Sequence, residues 1–291
     1  MIRAAILAIA CALSASLVGC GGGRSDATLT FTAVPDQDAT RLEERFAPLA
    51  AHLSEALDVP VRYVPARDYA HSVELFRDGE VHLAWFGGLT GVQARAAVPG
   101  ARAIAQGHAD RQYFSYFIAH RSTGLERSDR FSGAIADLAF AFGSERSTSG
   151  RLMPEYFIGQ FARQSPDEFF SRPYTYSGSH ERTIELVASG RCEAGVVNFK
   201  VYERMVAEGD VDPDEVRVIW KTPFYANYNF TAHPELETLF GAGFIDTLQR
   251  VLVSIEDPGL LAALPRERLV PARDPEYAGI ADVARVLDLL R

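Results

Sequence analysis

The sequence predicts an α/β fold made of two successive units, and three observations carry that prediction. Segments with the two-residue period of strands alternate with segments of helical spacing from residue 28 to residue 85. The same alternation begins again at Leu138 and runs to Trp220. Two aromatic stretches, Tyr113 to Ala119 and Phe224 to Phe230, flank the second unit; the first is long enough to leave the first sheet, and the second reads as a return crossover.

In the first unit, Thr28 to Ala33 alternates polar and apolar residues as a half-buried strand does. Leu42, Phe46, Leu49, Leu53 and Leu57 then recur at intervals of three and four and form one face of a helix. Val59 to Val64 is a predicted second strand, Tyr69 to Arg77 a helix closed by Gly79, and Val81 to Trp85 a third strand. Such a β-α-β-α-β run implies parallel strands with right-handed crossovers, and sheets of this kind bind ligands beyond the carboxyl ends of their strands. Asp68-Tyr69 and Trp85-Phe86-Gly87-Gly88 fall at those ends. Ala101 to Gln106 and Tyr113 to Ala119 are two further strands.

The second unit holds a strand over Leu138 to Phe142, a helix after Ser149, an extended Tyr174-Thr175-Tyr176, a helix over Glu181 to Ser189 closed by Gly190, and a strand over Ala194 to Val197. A helix around Tyr202 to Val206 and a strand over Val216 to Trp220 complete it. Helices around Ile245 to Ile255 and Ile280 to Leu290 have apolar faces suited to packing back on the first sheet.

The stretch with most chemical content joins the first strand of the second unit to its helix: Gly143-Ser144-Glu145-Arg146-Ser147-Thr148-Ser149-Gly150. A helix N-terminus offers N–H groups without intrahelical partners and the positive end of the macrodipole, so it holds an oxyanion without a formal positive charge. Ser147, Thr148 and Ser149 add three hydroxyl donors where a cap needs only one. Pro154 sits inside the helical pattern, where it should kink the helix or shift its start.

The chain's beginning reads as a lipoprotein signal. Arg3 precedes an apolar run from Ala4 to Val18, too short for a confident span, and Leu17-Val18-Gly19-Cys20 matches a lipobox. Residues 1–19 are then the signal peptide, Cys20 the lipidated N-terminus and 20–27 a tether. With Cys11 removed and Cys20 modified, Cys192 has no partner for a disulfide and reads as a small buried residue. The full chain has 29 basic and 38 acidic residues, a net charge of −9. Removing Arg3 with the signal leaves 28 basic against 38 acidic, or −10, which argues against nucleic acid as a partner.

Asp68-Tyr69-Ala70, Leu83-Ala84-Trp85-Phe86-Gly87-Gly88, Ser147-Thr148-Ser149-Gly150 with Leu152 and Pro154, Ser177-Gly178-Ser179-His180-Glu181, and Val197-Asn198 occur in an order that resembles one family. It is that of the periplasmic substrate-binding proteins of phosphate, phosphite and phosphonate ABC importers, most closely the selenate-binding branch. The resemblance implies the type 2 periplasmic-binding fold: lobe 1 over 28–117 and 226–291, lobe 2 over 118–225, and hinges near Ala119 and Tyr225. It further implies a cleft lined by Tyr69, Trp85, Phe86, Tyr113, Ser147, Thr148, Ser149, His180, Asn198 and Tyr225. The implied partners are a small tetrahedral oxyanion, a permease with its ATPase, and the membrane through the lipid on Cys20, with the protein itself a monomer and no cofactor or metal.

Lys200, just beyond Asn198, would disfavour a ligand that carries an ammonium group. Two other functions remain open. One is an oxyanion-sensing receptor partner using the same closed lobes. The other is an enzyme on this fold, for which the chain supplies no Gly-x-Ser-x-Gly elbow, Walker loop or helical His pair.

Overall fold

The computed structural model describes residues 27–36, 39–261 and 264–290. The signal peptide, Cys20 and nearly all of the tether lie outside them. Among the described residues eleven strands run in chain order: β1 Leu29–Ala33, β2 Val61–Tyr63, β3 Leu83–Phe86, β4 Arg102–Gly107, β5 Ser115–His120, β6 Phe140–Phe142, β7 Thr175–Tyr176, β8 Ala194–Asn198, β9 Val216–Lys221, β10 Asn229–Ala232 and β11 Leu269–Pro271. The helices are α1 Ala39–Leu57, α2 Tyr69–Arg77, α3 Gly88–Ala97, α4 Met153–Ala162, α5 Pro166–Phe169, α6 His180–Ala188, α7 Phe199–Glu208, α8 Glu235–Phe240, α9 Phe244–Val253, α10 Pro258–Leu261 and α11 Ala278–Val286.

Two sheets result. The first has the order β11-β4-β10-β3-β1-β2 and the second β7-β6-β8-β5-β9. β1 pairs in parallel with β2 and β3, as the opening alternation requires, and all five of its residues are buried. The expected helical face is also present: Leu42, Phe46, Leu49 and Leu53 of α1 are almost fully buried, and Phe46 packs edge-on against Phe31 of β1.

Three elements differ from the sequence reading. α3 follows β3 directly, although Gly87, Gly88 and Gly91 weaken any helical signal there. The aromatic return stretch stops being a connection at Tyr228; Asn229–Ala232 becomes β10, inserted antiparallel between β3 and β4. β11 is short and ends in Pro271, as an edge strand can.

In the second sheet β5 is antiparallel to both β8 and β9, while β6 is parallel to β7 and β8. One face carries Ile118, Ile184, Val187, Val201 and Cys192 under α6 and α7. Cys192 is a free, buried thiol, as its lack of a partner implied. The other face is aromatic, with Phe117, Phe140, Phe131 and Trp220 in mutual ring contact.

The chain passes from one sheet to the other twice, at 108–114 and at 222–228, and the two passages are joined. Tyr113 donates its N–H to the Tyr225 carbonyl at 2.8 Å, and Tyr225 donates back to the Tyr113 carbonyl at 2.9 Å. Tyr225 thus lies at a crossing, as expected. Ala119 does not: it is inside β5, fully buried and paired with Ala194 and Arg217. The first crossing is six residues earlier because the antiparallel strand that leaves the first sheet is already part of the second.

Candidate functional site

The hydroxyl cluster is a π-turn, Thr148–Leu152, that leads into α4. This resolves Pro154. α4 proper begins at Met153, so the proline occupies the first turn, where its missing N–H breaks no bond. Ser147 is the cap, its hydroxyl accepting from the Gly150 N–H at 2.9 Å. The turn can fold so tightly because a Cβ on Gly150 would stand 3.0 Å from His180 Cε1 and 3.1 Å from Gly143 Cα.

Ser149 and Ser147 meet His180 from the other side, with hydroxyl oxygens 3.3 and 3.4 Å from Nε2. His180 opens α6 behind its cap Ser179 and is fully buried. Its Nδ1 accepts the Asn198 backbone N–H at 3.2 Å. A nitrogen that accepts carries no proton, so the remaining proton of the neutral ring belongs to Nε2 and points at the two serines. Burial lowers the imidazole to about 3, so the ring is neutral at any ordinary pH. The cradle therefore contains a donor and no cation.

Asn198 ends β8 and caps α7, accepting from Val201 N–H at 3.0 Å. Its amide nitrogen donates to the Tyr228 hydroxyl at 3.1 Å, and that hydroxyl donates to Asp36 at 3.0 Å. This chain of bonds joins the second sheet to the crossing and the crossing to the end of β1. Tyr225 supports the cradle from beneath, its hydroxyl 2.5 Å from Ser115 Oγ, which in turn donates to the Ser149 carbonyl at 2.7 Å.

From the first sheet, α2 and α3 present their N-termini. Asp68 caps α2 by accepting from His71 N–H at 2.7 Å and sets Tyr69 at the helix start, 2 % exposed. The Tyr69 hydroxyl has Ser147 and Tyr228 as polar neighbours yet meets no partner in hydrogen-bond geometry. Burial holds its ionisation well above the ordinary phenol value, so it keeps its proton. At α3 the Leu89 N–H donates to Thr148 Oγ1 at 2.8 Å, and the Gly88 N–H to Asn227 Oδ1 at 3.0 Å. The first of these bonds ties the two sheets together across the cleft.

Of the remaining expected residues, Phe86 is the exception. Successive strand residues face opposite sides, so Trp85 and Phe86 cannot both line one cleft. Phe86 packs edge-on against Phe76 of α2 in the core, with centroids 5.6 Å apart. Trp85 instead stacks on Tyr228 at 5.6 Å. Tyr113 is fully buried and its hydroxyl meets no partner. These three rings, Trp85, Tyr113 and Tyr228, surround the Arg266 guanidinium at 5.6, 5.5 and 5.0 Å.

Arg266 makes a bidentate pair with Asp110, both contacts 2.7 Å. Burial pushes the Asp110 carboxyl up against the pull of Arg266; burial also pulls Arg266 down, but Asp110 together with Tyr113 and Tyr228 more than offsets it, so the guanidinium stays charged. Lys200 lines a cavity of about 10 Å³ with Asp36, Trp85, Asn198 and Arg266, and its ammonium lies 5.1 Å from the Phe199 ring centre.

Sequence reasoning missed Asn227, Ser115 and the Asp110–Arg266 pair. Asn227 had one weak signal, a polar residue between the aromatics of a crossing; Asp110 and Arg266 had none, being 156 residues apart. Among the described residues no group of three His, Cys, Asp or Glu side chains could hold a metal ion, and no helix is long and apolar enough to cross a membrane.

Comparison with known proteins bears on the family and the fold. The family model for the periplasmic substrate-binding protein of phosphonate ABC transporters covers residues 31–277. A probable ABC transporter phosphite-binding protein, PhnD1 of Prochlorococcus marinus (strain MIT 9301), is 36% identical over 270 residues, spanning 90% of this chain and 91% of the relative. A phosphate-import protein, PhnD of Mycolicibacterium smegmatis, is 28% identical over 282 residues, 89% of this chain and 85% of its own. The structure of the Prochlorococcus protein in complex with methylphosphonate superposes with a TM-score of 0.86 at 35% identity, covering 91% of this chain and all of that one. These relatives are transport proteins, not enzymes.

Proposed function

Because the chain belongs to the family of periplasmic substrate-binding proteins of phosphonate ABC transporters, we propose that it captures a small tetrahedral oxyanion between its two sheets and delivers it to a membrane permease driven by an ATPase. The observation that carries this reading is the cradle: three consecutive hydroxyls on one helix-initiating turn, faced by a neutral His180 and a Tyr69 hydroxyl without a partner. A tetrahedral oxyanion has lone pairs on every side and needs convergent donors, which this set supplies without a competing cation. Phosphite, methylphosphonate and phosphate are the first ligands to try, since the relatives are named for or bound to them. Selenate is the further member of the class, with the same tetrahedral oxygens.

The finer assignments are the lipid on Cys20, which places the protein at the membrane surface as a tethered monomer, and a role for Lys200 in disfavouring 2-aminoethylphosphonate. Scanning fluorimetry and calorimetry against these five anions test the ligand class, because a ligand that binds only the folded state raises its melting temperature. Failure of every one to bind would end this reading. Stronger binding of 2-aminoethylphosphonate than of the bare anions would end the role given to Lys200. Release of a Cys20→Ser variant from the membrane fraction is the expected sign of the anchor, and its retention there would refute it.

A further inference from the structure

The polar groups of the cradle share a feature that bears on which protonation state of a ligand they accept: most of their acceptor atoms already receive a hydrogen bond. His180 Nδ1 is taken by Asn198 N–H. Ser147 Oγ receives Gly150 N–H and Thr148 Oγ1 receives Leu89 N–H. Asn227 extends the pattern. It is 1 % exposed, and its Oδ1 receives Gly88 N–H at 3.0 Å. A backbone N–H can only donate, so this bond fixes which end of the amide is oxygen and turns Nδ2 the other way.

Nδ2 meets no hydrogen-bond partner, one of the few buried side-chain nitrogens of which that is true. The residue stands beside the cradle: a Cβ on Gly87 would lie 3.0 Å from Thr148 Oγ1 and 3.5 Å from Asn227 Oδ1. Two buried groups with unmet protons, the Asn227 amide and the Tyr69 hydroxyl, thus accompany the Ser147 and Thr148 hydroxyls, each of which already receives one N–H. Leaving such donors unmet costs about 1–3 kcal/mol each, so they are conspicuous unless something accepts from them.

We propose that Asn227, held by Gly88, presents its amide hydrogens to the ligand and makes the site one of donors, which selects a fully deprotonated oxyanion over one that keeps an acidic hydroxyl. An anion with a P–OH group would bring a proton to a place where donors outnumber the acceptor positions left to take it. The inference rests on the proposed function and adds the ionisation state of the ligand to it. The titratable side chains around the group add few acceptors. His180 is neutral with its Nε2 proton toward Ser147 and Ser149, the phenols of Tyr69, Tyr225 and Tyr228 stay protonated, Arg266 is bound to Asp110, and the Asp36 carboxylate is spent in part on Tyr228.

The test is calorimetry on the whole mature chain with selenate, phosphite and phosphate from pH 5.5 to 8.5. Selenate is a dianion throughout this range, so its affinity is expected to stay flat. Phosphite and phosphate are expected to tighten by about tenfold per pH unit below their second ionisation and to level off above it, the signature of one proton excluded on binding. Asn227→Asp is expected to invert the profile, losing selenate and favouring the monoanions, because it replaces donors with an acceptor. Affinity for phosphite or phosphate that is flat or rises toward pH 5.5 in the parent protein would overturn the inference, and needs no variant to fold. Absence of binding by all three anions at every pH would overturn the functional reading itself, which separates the two failures.

Discussion

Replacing Thr148 by Val tests the cradle and the closure of the cleft in one substitution. Valine keeps the branched shape and the methyl that lies against Gly88, where a Cβ would stand 3.3 Å away, but it removes Oγ1. Two bonds are lost. One is the donor to the anion, and a hydrogen bond to a charged group contributes about 1.5–3 kcal/mol. The other is the acceptor for Leu89 N–H at 2.8 Å, which lies in the buried seam between the sheets. In an open cleft water would meet that N–H, so its desolvation cost of about 1–3 kcal/mol falls on the closed, ligand-holding form alone. The low ends together, about 2.5 kcal/mol, weaken binding roughly sixtyfold. Titration calorimetry with phosphite, alongside Thr148→Ser as the variant that keeps the oxygen, reads this directly. A folded Thr148→Val protein that binds within about twofold of the parent would refute both the donor role and the seam.

Three other outcomes are expected. Arg266→Met leaves Asp110 buried without its cation and should lower stability by about 3–5 kcal/mol in chemical denaturation, with much of the loss recovered by adding Asp110→Asn. Full stability in the single variant would show that the pair is not what holds the crossing. His180, lowered to about 3 against an unfolded value near 6.5, favours the folded state while the ring is neutral in both states. Below pH 6.5 the unfolded chain takes up a proton that the folded one refuses, so stability should fall by about 1.4 kcal/mol per pH unit down to about 3, and His180→Gln should flatten that slope in thermal melts across pH 4 to 7. A slope identical in the two proteins would contradict the buried neutral ring. Gly150→Ala drives a Cβ against the Gly143 backbone at 3.1 Å as well as His180, so it should weaken phosphite binding more than tenfold, read by fluorimetry; unchanged binding would mean that the turn is looser than its geometry.

The sequence made the architecture legible wherever periodicity reported on burial. β1, α1 and α2 could be read because a buried parallel strand and one-sided helices leave distinct repeats; α2 was closed by Gly79 after it, while the cap role of Asp68 emerged only in the structure. α3 was hidden because Gly88 and Gly91 serve close approach: a Cβ on Gly91 would stand 3.0 Å from Arg95 and Asn229. β10 was hidden because four residues of strand follow a run of crossing aromatics without a break in composition. The cradle hydroxyls announced themselves by being three where one suffices, whereas His180 was marked only by the family resemblance of Ser177-Gly178-Ser179-His180-Glu181. The donors that complete them did not. The Gly88 and Leu89 amides have no side-chain identity, and Asn227 is a donor only because Gly88 occupies its oxygen, a contact spanning 139 residues. Phe86 was misplaced for the simplest reason, that a two-residue strand period sends neighbours to opposite faces.

The reciprocal bonds between Tyr113 and Tyr225 give the two crossings a mechanical identity that neither has alone. A pair of chains stitched together is a strip, and a strip bends easily across its width but resists shear along its length. One crossing cannot slide past the other without breaking two backbone bonds among buried rings, about 1 kcal/mol each even before the desolvation of the exposed groups. The strip is also fastened at one end. Asp110 and Tyr228, one from each crossing, are both engaged by Arg266 from the tail of the chain, through an ion pair and a stacked ring. The other end of the strip, where Ser115 meets Thr222 and Tyr225, runs into β5 and reaches the Ser149 carbonyl through the Ser115 hydroxyl. Bending there would tilt the hydroxyl turn itself, so a motion that opens the space between the sheets would also change the aim of those hydroxyls.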